Sequence, residues 1–247
     1  LEAVAENNSS GICLLKGDFE SAFKHAILGH ELAEKSSAAS ACCAALANLG
    51  HVFQARGDFD RAAEWFERAL RTFPSMSNRN NGTIDGLAQI RLSQNKFDEC
   101  AALLDRIDAS ISNESDRLLY GHRYAALTRA TLLERSGRLQ EALHQIQVVS
   151  DLARNTDDDV LKQMCLLIEA DVHLDRHDIT ACANVLRLIS PNSLATDAPE
   201  LYAYYERVIA YACILSQLES SARQHYRRSK RTYQAIGSAR GLLELNR

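Results

Sequence analysis

A six-residue pattern of hydrophobic and polar positions recurs six times along the chain, about once every 40 residues. The pattern starts with a turn-forming residue, usually continues with a polar, a large hydrophobic and two mainly polar residues, and ends on a small residue. The copies at 17–22 and 57–62 are the clearest, and the copy at 217–222 is the weakest. A regular period of about 40 residues predicts an array of helix pairs. The small residues lie 40, 38, 42, 40 and 40 positions apart, at Ala22, Ala62, Cys100, Ala142, Cys182 and Ala222.

Each slot of the pattern has a physical reason to recur. Asp18, Asp58 and Asp178 occupy the second slot, where a carboxylate can accept hydrogen bonds from free amides at the start of the next helix. The small last slot lets two helices cross closely, which explains Cys100 and Cys182 as packing residues. The first slot favours residue types that tolerate a left-handed backbone, as a helix end requires. Five of its six residues are of this kind, namely Gly17, Gly57, Asn95, Gly137 and His177, and Gln217 is the exception.

These turns mark the ends of the predicted helices. We expect an all-α fold, a right-handed α-solenoid of about six antiparallel helix pairs in a single array over residues 1–247. Pro74, Pro191 and Pro199 fall outside helix interiors, where proline is tolerated. The predicted helices are approximately 2–15, 18–35, 38–56, 58–73, 78–94, 97–109, 115–136, 138–153, 157–175, 179–189, 198–216 and 219–236. The predicted repeats are 1–36, 37–75, 76–113, 114–154, 155–194 and 195–236, and 237–247 is predicted as a capping or linking helix.

The second repeat carries the most specific sequence signal. Its spacing of large, small and aromatic residues resembles the tetratricopeptide repeat (TPR) pattern, although the period exceeds the usual length of about 34 residues. Longer units of this kind are similar to those of bacterial quorum-peptide receptors and of TPR-bearing transcriptional regulators. The residues that carry the resemblance are Leu46, Leu49, Gly50 and Phe53, followed by Ala62, Phe66, Ala69 and Pro74.

Composition and charge limit the compartment and the kinds of partner that we expect for this chain. Hydrophobic residues make up 46% of the chain, yet no apolar run reaches the length of a membrane-spanning helix. The net charge of −4 argues against a nucleic-acid surface spread over the whole chain. Seven cysteines without a C-x-x-C pair suit a reducing compartment, so we expect a cytoplasmic protein. Because the chain starts at Leu1, we expect it to be part of a longer polypeptide with an attached effector domain.

The resemblance implies a binding groove. In TPR arrays the first helix of each pair lines the concave face, so a protein or peptide ligand is expected to contact the non-core positions of the first helices. Glu134 and Asp171 also fall on this face. The predicted groove residues are Asn48, His51, Gln54, Asp85, Gln89, Tyr124, Thr128, Thr131, Tyr204, Arg207 and Tyr211.

Other candidate sites are weaker. The carboxylate clamp of chaperone-binding TPRs is matched only at Asn48, so binding of chaperone tails is not expected. His173 and His177 are four residues apart, but both occupy positions that the repeat already explains, and a third ligand is missing. We therefore expect no metal, no cofactor and no catalytic residue. A basic patch on the last full helix comprises Arg223, Arg227, Arg228 and Arg231, and it fits either an acidic partner or a solvated outer face.

Three hypotheses for function follow. The leading one is a non-catalytic protein- or peptide-binding module, the sensory or scaffolding region of a larger bacterial transcriptional or signalling regulator. Its tail, 233–240, is similar to the end of TPR arrays that stand beside transcription-activator domains. The alternative is a self-associating scaffold that mediates formation of a homo-oligomer. An enzyme is the third, and the sequence offers it no converging acid, base and nucleophile.

Overall fold

The computed structural model describes residues 1–72 and 77–245, with the side chains of 77–79 excepted. Over these residues the secondary structure is entirely helical, which confirms the all-α class. The chain forms two compact units. Unit 1 comprises Leu1–Ala125 with Gly237–Arg240, and unit 2 comprises Ala126–Ile236 with Gly241–Arg247. The prediction of a single continuous array and its superhelical hand stays a prediction.

Consecutive helices pair and then stack. In unit 1, each helix from α1 to α5 packs on the next, and the first helices of successive repeats, α1, α3 and α5, also touch in order. In unit 2, α9 contacts α8, α10 and α12, and α12 pairs with α13. The helices are α1 Glu2–Leu15, α2 Phe19–Lys35, α3 Ala39–Ala55, α4 Phe59–Thr72, α5 Ser77–Ser93, α6 Phe97–Asp108, α7 Tyr120–Arg135, α8 Leu139–Asn155, α9 Asp159–Asp175, α10 Ile179–Leu186, α11 Pro191–Asp197, α12 Pro199–Leu215, α13 Glu219–Ile236 and α14 Ala239–Leu245.

Two predicted helices are wrong in detail. The range 115–136 is a 3₁₀ turn at Glu114–Leu118 followed by α7, because Asn113 and Asp116 form a capping box and Leu119 is extended. The range 179–189 ends early at Leu186, and α11 is an additional short helix with Pro191 at its start. Most other bounds lie within two residues of the predicted ones. The boundary between 37–75 and 76–113, with Pro74, lies outside the described residues.

The turn between the two helices of each repeat is left-handed, as predicted. The first slot of the six-residue pattern has a positive φ in every copy, and the turn closes with a hydrogen bond such as that from Asp18 N to Cys13 O, 2.9 Å. The Asp18 carboxylate then accepts from Ser21 N at 3.0 Å, and Asp178 accepts from Ala181 N at 2.9 Å. The φ values are 71° at Gly17, 76° at Gly57, 59° at Asn95, 73° at Gly137, 57° at His177 and 61° at Gln217.

The small residues that end the pattern lie where the paired helices cross. All but the last are fully inaccessible to solvent, and Ala222 is 6% exposed. The packing role predicted for Cys100 and Cys182 is therefore confirmed. Burial at the crossing leaves room for at most a methyl group or a thiol, because the two backbones approach closely there.

Phe66 is the central side chain of unit 1. It lies on α4, is completely buried, and packs with Leu87 and Ile90 of α5. Its ring lies directly against two glycines, Gly50 of α3 and Gly86 of α5. A Cβ atom at Gly50 would be 2.5 Å from the ring, and one at Gly86 would also collide with it. The ring therefore fills a space that these glycines leave open in two successive repeats.

We expect Gly50→Ala to destabilise the chain by about 1–3 kcal/mol, because the added methyl overlaps the Phe66 ring in a packed core. Gly11→Ala is the matched control, since nothing lies within 4 Å of a Cβ at that helical position. The control should stabilise by up to about 1 kcal/mol through helix propensity. Urea denaturation followed by circular dichroism measures both, and equal effects of the two changes would contradict this view of the core.

Candidate functional site

In unit 1, four predicted groove residues form a polar chain between two first helices. Gln54 Nε2 on α3 donates to Gln89 Oε1 on α5 at 3.1 Å, and Gln89 Nε2 donates to Asp85 Oδ2 at 2.8 Å. At the other end, His51 Nδ1 lies 3.2 Å from Gln54 Oε1. An amide oxygen only accepts, so Nδ1 of His51 carries the proton.

Burial sets what these residues can do. Gln54 is 1% exposed and Asp85 is 3% exposed, so they offer little surface to a ligand. Burial lowers the pKa of His51 to about 4, and the ring is neutral near pH 7. Its ring also packs edge-on against Phe66, with centroids 4.9 Å apart. This polar chain braces α3 against α5, and direct ligand contact by its members stays a prediction.

Asn48 also joins two repeats. Its side-chain Nδ2 donates to the backbone oxygen of Asn7 on α1 at 2.9 Å. The Asn7 side chain in turn donates to the Ala41 oxygen on α3 at 2.8 Å. Each asparagine thus donates one hydrogen bond across the contact between the first helices of repeats one and two. Removing Asn48 would weaken that contact as well as any ligand contact.

The predicted residues on α7 differ in their accessibility. Tyr124 is half-buried and its ring lies 4.4 Å, centroid to centroid, from that of the exposed Tyr120. Thr128 is buried, and the Thr131 hydroxyl donates to Leu127 O within the helix at 3.2 Å. Of the three, Tyr124 offers the largest side chain to a ligand.

In unit 2, Asp171 is the centre of an ionic cluster between α9 and α12. The Tyr204 hydroxyl donates to Asp171 Oδ2 at 2.6 Å, and the Arg207 guanidinium pairs with the same oxygen. Arg207 also lies over the Tyr204 ring, 4.6 Å from its centroid. Two predicted groove residues are thus held by a third position on the neighbouring first helix.

Two further carboxyl groups complete this cluster. Burial raises the pKa of Glu134 on α7 to about 8, with Asp171 and Asp175 adding to the shift. Burial is also the main reason that the pKa of Asp175 is raised, and the hydrogen bond from Glu134 acts in the opposite direction. Near pH 7 a proton therefore resides mainly on Glu134, which donates to Asp175. Asp175 was not predicted from the sequence, where its only signal is its position one turn after Asp171.

The pKa values of Arg207 and Tyr204, the other two members of the cluster, are also shifted. Burial alone would lower the pKa of Arg207, but the Asp171 carboxylate reverses that effect and raises it. Burial raises the pKa of Tyr204 well above its usual value. The arrangement therefore combines the Arg207 guanidinium with a proton shared between Glu134 and Asp175, and it joins the first helices α7, α9 and α12.

The far end of α12 presents apolar side chains to solvent. Tyr211 is 38% exposed, Ile214 is 61% exposed, and Leu218 in the following turn is 55% exposed. Within α12, Tyr211 and Ile214 continue from Tyr204 and Arg207 in steps of three and four residues, the spacing of one helix face. Leu218 lies beyond the end of α12, after the left-handed residue Gln217, so this spacing does not place it on that face. Tyr211 was predicted from the sequence, but Ile214 and Leu218 were not, because apolar residues in a helical pattern usually mark the core and their exposure cannot be read from it.

The basic patch lies on the exposed face of α13. Arg223 pairs with Glu219 at 2.8 Å, and Arg228 lies 3.8 Å from Glu206. Arg227 and Arg231 are exposed and have no acidic partner among the described residues. These arginines line a shallow depression whose walls come from α13 alone, so the patch is an open surface and not a cleft. Its role as a binding surface stays a prediction.

Stacked helix pairs of this kind define a helical-repeat protein, a class that binds other proteins along its repeats. Residues 1–75 match the model of the tetratricopeptide repeat family, which supports the resemblance predicted from the sequence. Such repeats mediate protein–protein interaction and are typically non-catalytic scaffolds.

One solved structure similar to the chain is a tetratricopeptide repeat protein from Parabacteroides merdae ATCC 43184. It is 14% identical, with 99% of this chain and 98% of that chain covered, and the TM-score is 0.41. A score of that size does not define how the repeats are arranged here. No curated protein matches the chain significantly. None of the described helices has the length and apolarity needed to cross a membrane.

We expect the raised pKa of Glu134 to make the stability of the folded chain depend on pH. Its pKa is higher in the folded chain than the ordinary value of 4.5, so ionisation opposes folding. The free energy of unfolding should fall as pH rises from about 4.5 to about 8. Glu134→Gln should remove this fall, so that the variant exceeds the parent in stability above pH 8 and converges with it at low pH.

Urea denaturation across pH 4 to 9 provides the measurement. Glu141→Gln is the control, because that exposed carboxylate pairs with Arg138 and its pKa is lowered. The control should keep the parent's fall in stability over this range. Parallel profiles of parent and Glu134→Gln would show that Glu134 is ionised normally.

Proposed function

We propose that this chain binds a protein or peptide partner along the first-helix face of unit 2. The observation that carries the proposal is a row on one face of α12, in which the exposed apolar side chains Tyr211 and Ile214 continue from Tyr204 and Arg207. Exposed apolar groups of this size that lie side by side mark protein-interaction surfaces. Tyrosine and arginine are also the residue types that most often dominate binding energy.

The form of the row suits one kind of ligand. Its spacing matches a single helix face, so a partner helix with its own apolar stripe could pack along α12. The anchored end of the row supplies a polar site, since Asp171 fixes the orientation of the Tyr204 hydroxyl and of Arg207 before any ligand arrives. Side chains that are already ordered lose less entropy on binding.

The proposal includes the wider role predicted from the sequence. In it the chain is the sensory or scaffolding region of a larger bacterial transcriptional or signalling regulator in the cytoplasm. A partner that packs on α12 would also touch residues tied to α7 and α9 through the Asp171 cluster. Binding could in this way alter how three successive first helices pack, which gives a sensor a route to an attached effector domain.

A self-associating scaffold is the alternative, because the same apolar row could pack against its counterpart in a second copy. The two proposals differ in concentration dependence. Sedimentation velocity over a hundredfold range of concentration separates them, since only self-association raises the mass of the purified chain. A rise that Ile214→Ser abolishes would favour the scaffold.

For the partner-binding proposal, the diagnostic variant is Tyr211→Ala with Ile214→Ser. Both side chains are solvent-accessible, so their loss should leave helical content and the urea midpoint unchanged. We expect a partner captured by the parent chain to bind at least about 10-fold more weakly to the variant, the effect of losing one binding hot spot. Titration of the captured partner by calorimetry gives the affinity.

Leu28→Ser is the matched control, because Leu28 is an apolar residue of α2, a second helix, and is 43% exposed. It should bind the partner like the parent. If the control loses as much affinity as the α12 variant, or if the α12 variant binds normally, the first-helix face of unit 2 is not the binding surface.

A further inference from the structure

Three metal-binding side chains converge between α2 and α3. His30 and Glu34 are four residues apart on α2, and Cys42 lies in the first turn of α3. His30 Nδ1 is 3.1 Å from Cys42 Sγ, and His30 Nε2 is 3.5 Å from Glu34 Oε1. One ligand atom from each residue falls within 4.8 Å of the other two. Among the described residues this is the single group of three with that property.

We propose that His30, Glu34 and Cys42 bind a zinc ion, with water as the fourth ligand. Thiolate, imidazole and carboxylate are the three side-chain donors that zinc takes in proteins, and four-coordination is its usual state. The mixture of one sulfur, one nitrogen and one oxygen favours zinc over calcium or magnesium, which prefer oxygen alone.

The distances need only small changes to accept the ion. In a tetrahedral site the nitrogen and sulfur ligands lie about 3.6 Å apart, so His30 and Cys42 would separate by about half an ångström. Nδ1 is the nitrogen that faces the thiol, and the ion would bind there. The Glu34 side chain is 61% exposed and can change rotamer to reach it from the Nε2 side of the ring.

The Cys42 residue is 6% exposed, which leaves no room for a substrate at its sulfur as a nucleophilic cysteine requires. A zinc ion supplies the positive charge that a buried thiolate lacks, and it can enter past the exposed Glu34.

The location indicates what the ion would do. α2 is the second helix of repeat one, and α3 is the first helix of repeat two, so an ion held by both fastens the two repeats together. The cluster belongs to unit 1, whereas the α12 residues of the proposed function belong to unit 2. This inference is therefore independent of whether that face binds a partner.

Cobalt(II) titration of the metal-free full chain tests the proposal, because thiolate ligation to cobalt gives a near-ultraviolet charge-transfer band and tetrahedral geometry an intense visible band. We expect both bands at one cobalt per chain and their loss when zinc is added. Cys42→Ser should abolish the charge-transfer band. Glu34→Gln and His30→Gln should each weaken cobalt binding by at least about 10–100-fold, the cost of losing even an outer-shell partner.

Cys43→Ser is the matched control, because Cys43 is the adjacent buried cysteine and its thiol donates to Asn80 Oδ1 at 3.4 Å, away from His30. It should keep both bands. Glu34→Gln guards against misfolding, since an exposed residue can change without loss of helical content. The proposal is overturned if the parent shows no thiolate band at saturating cobalt, if Cys42→Ser keeps the band, or if folded Glu34→Gln binds cobalt as the parent does.

Discussion

The left-handed turn between the two helices of each repeat is the constraint on which the rest of the structure depends. It reverses the chain within a few residues and places a small side chain where the helices cross. With the crossing fixed at Ala62, for example, α3 and α4 approach closely enough for Phe66 to reach Gly50. Every contact between successive repeats is then built on pairs whose internal geometry is already set.

Residue types predict this turn well, because few residues tolerate a positive φ and few fit a close crossing. Even so, Gln217 adopts the left-handed conformation without belonging to a favourable type, since its neighbours in the repeat impose the turn. The errors in the predicted helix bounds come from local capping residues. The Asn113–Asp116 box starts a 3₁₀ turn before α7, and Pro191 starts α11, and neither feature belongs to the repeated pattern.

The candidate site was predictable as a set of positions but not as a set of contacts. Periodicity identifies Tyr204, Arg207 and Asp171 as residues of first helices, yet their pairing joins positions more than 30 residues apart and depends on how the repeats stack. The same holds for His30 and Cys42, which no local motif connects. Several polar residues predicted to face a ligand also hold neighbouring first helices together, so a substitution that tests binding at these positions also tests stability.

The position of Phe66 has a consequence for how unit 1 comes apart. One ring is enclosed by Gly50 from its own repeat and by Gly86 from the next, so neither repeat can open without uncovering it. In the nearest-neighbour description of repeat proteins, the shared Phe66 ring makes the free energy of the interface between these two repeats large relative to the intrinsic stability of each repeat. The second and third repeats should thus behave as one cooperative folding block, and fraying would begin at the first repeat, which lies outside that shared ring.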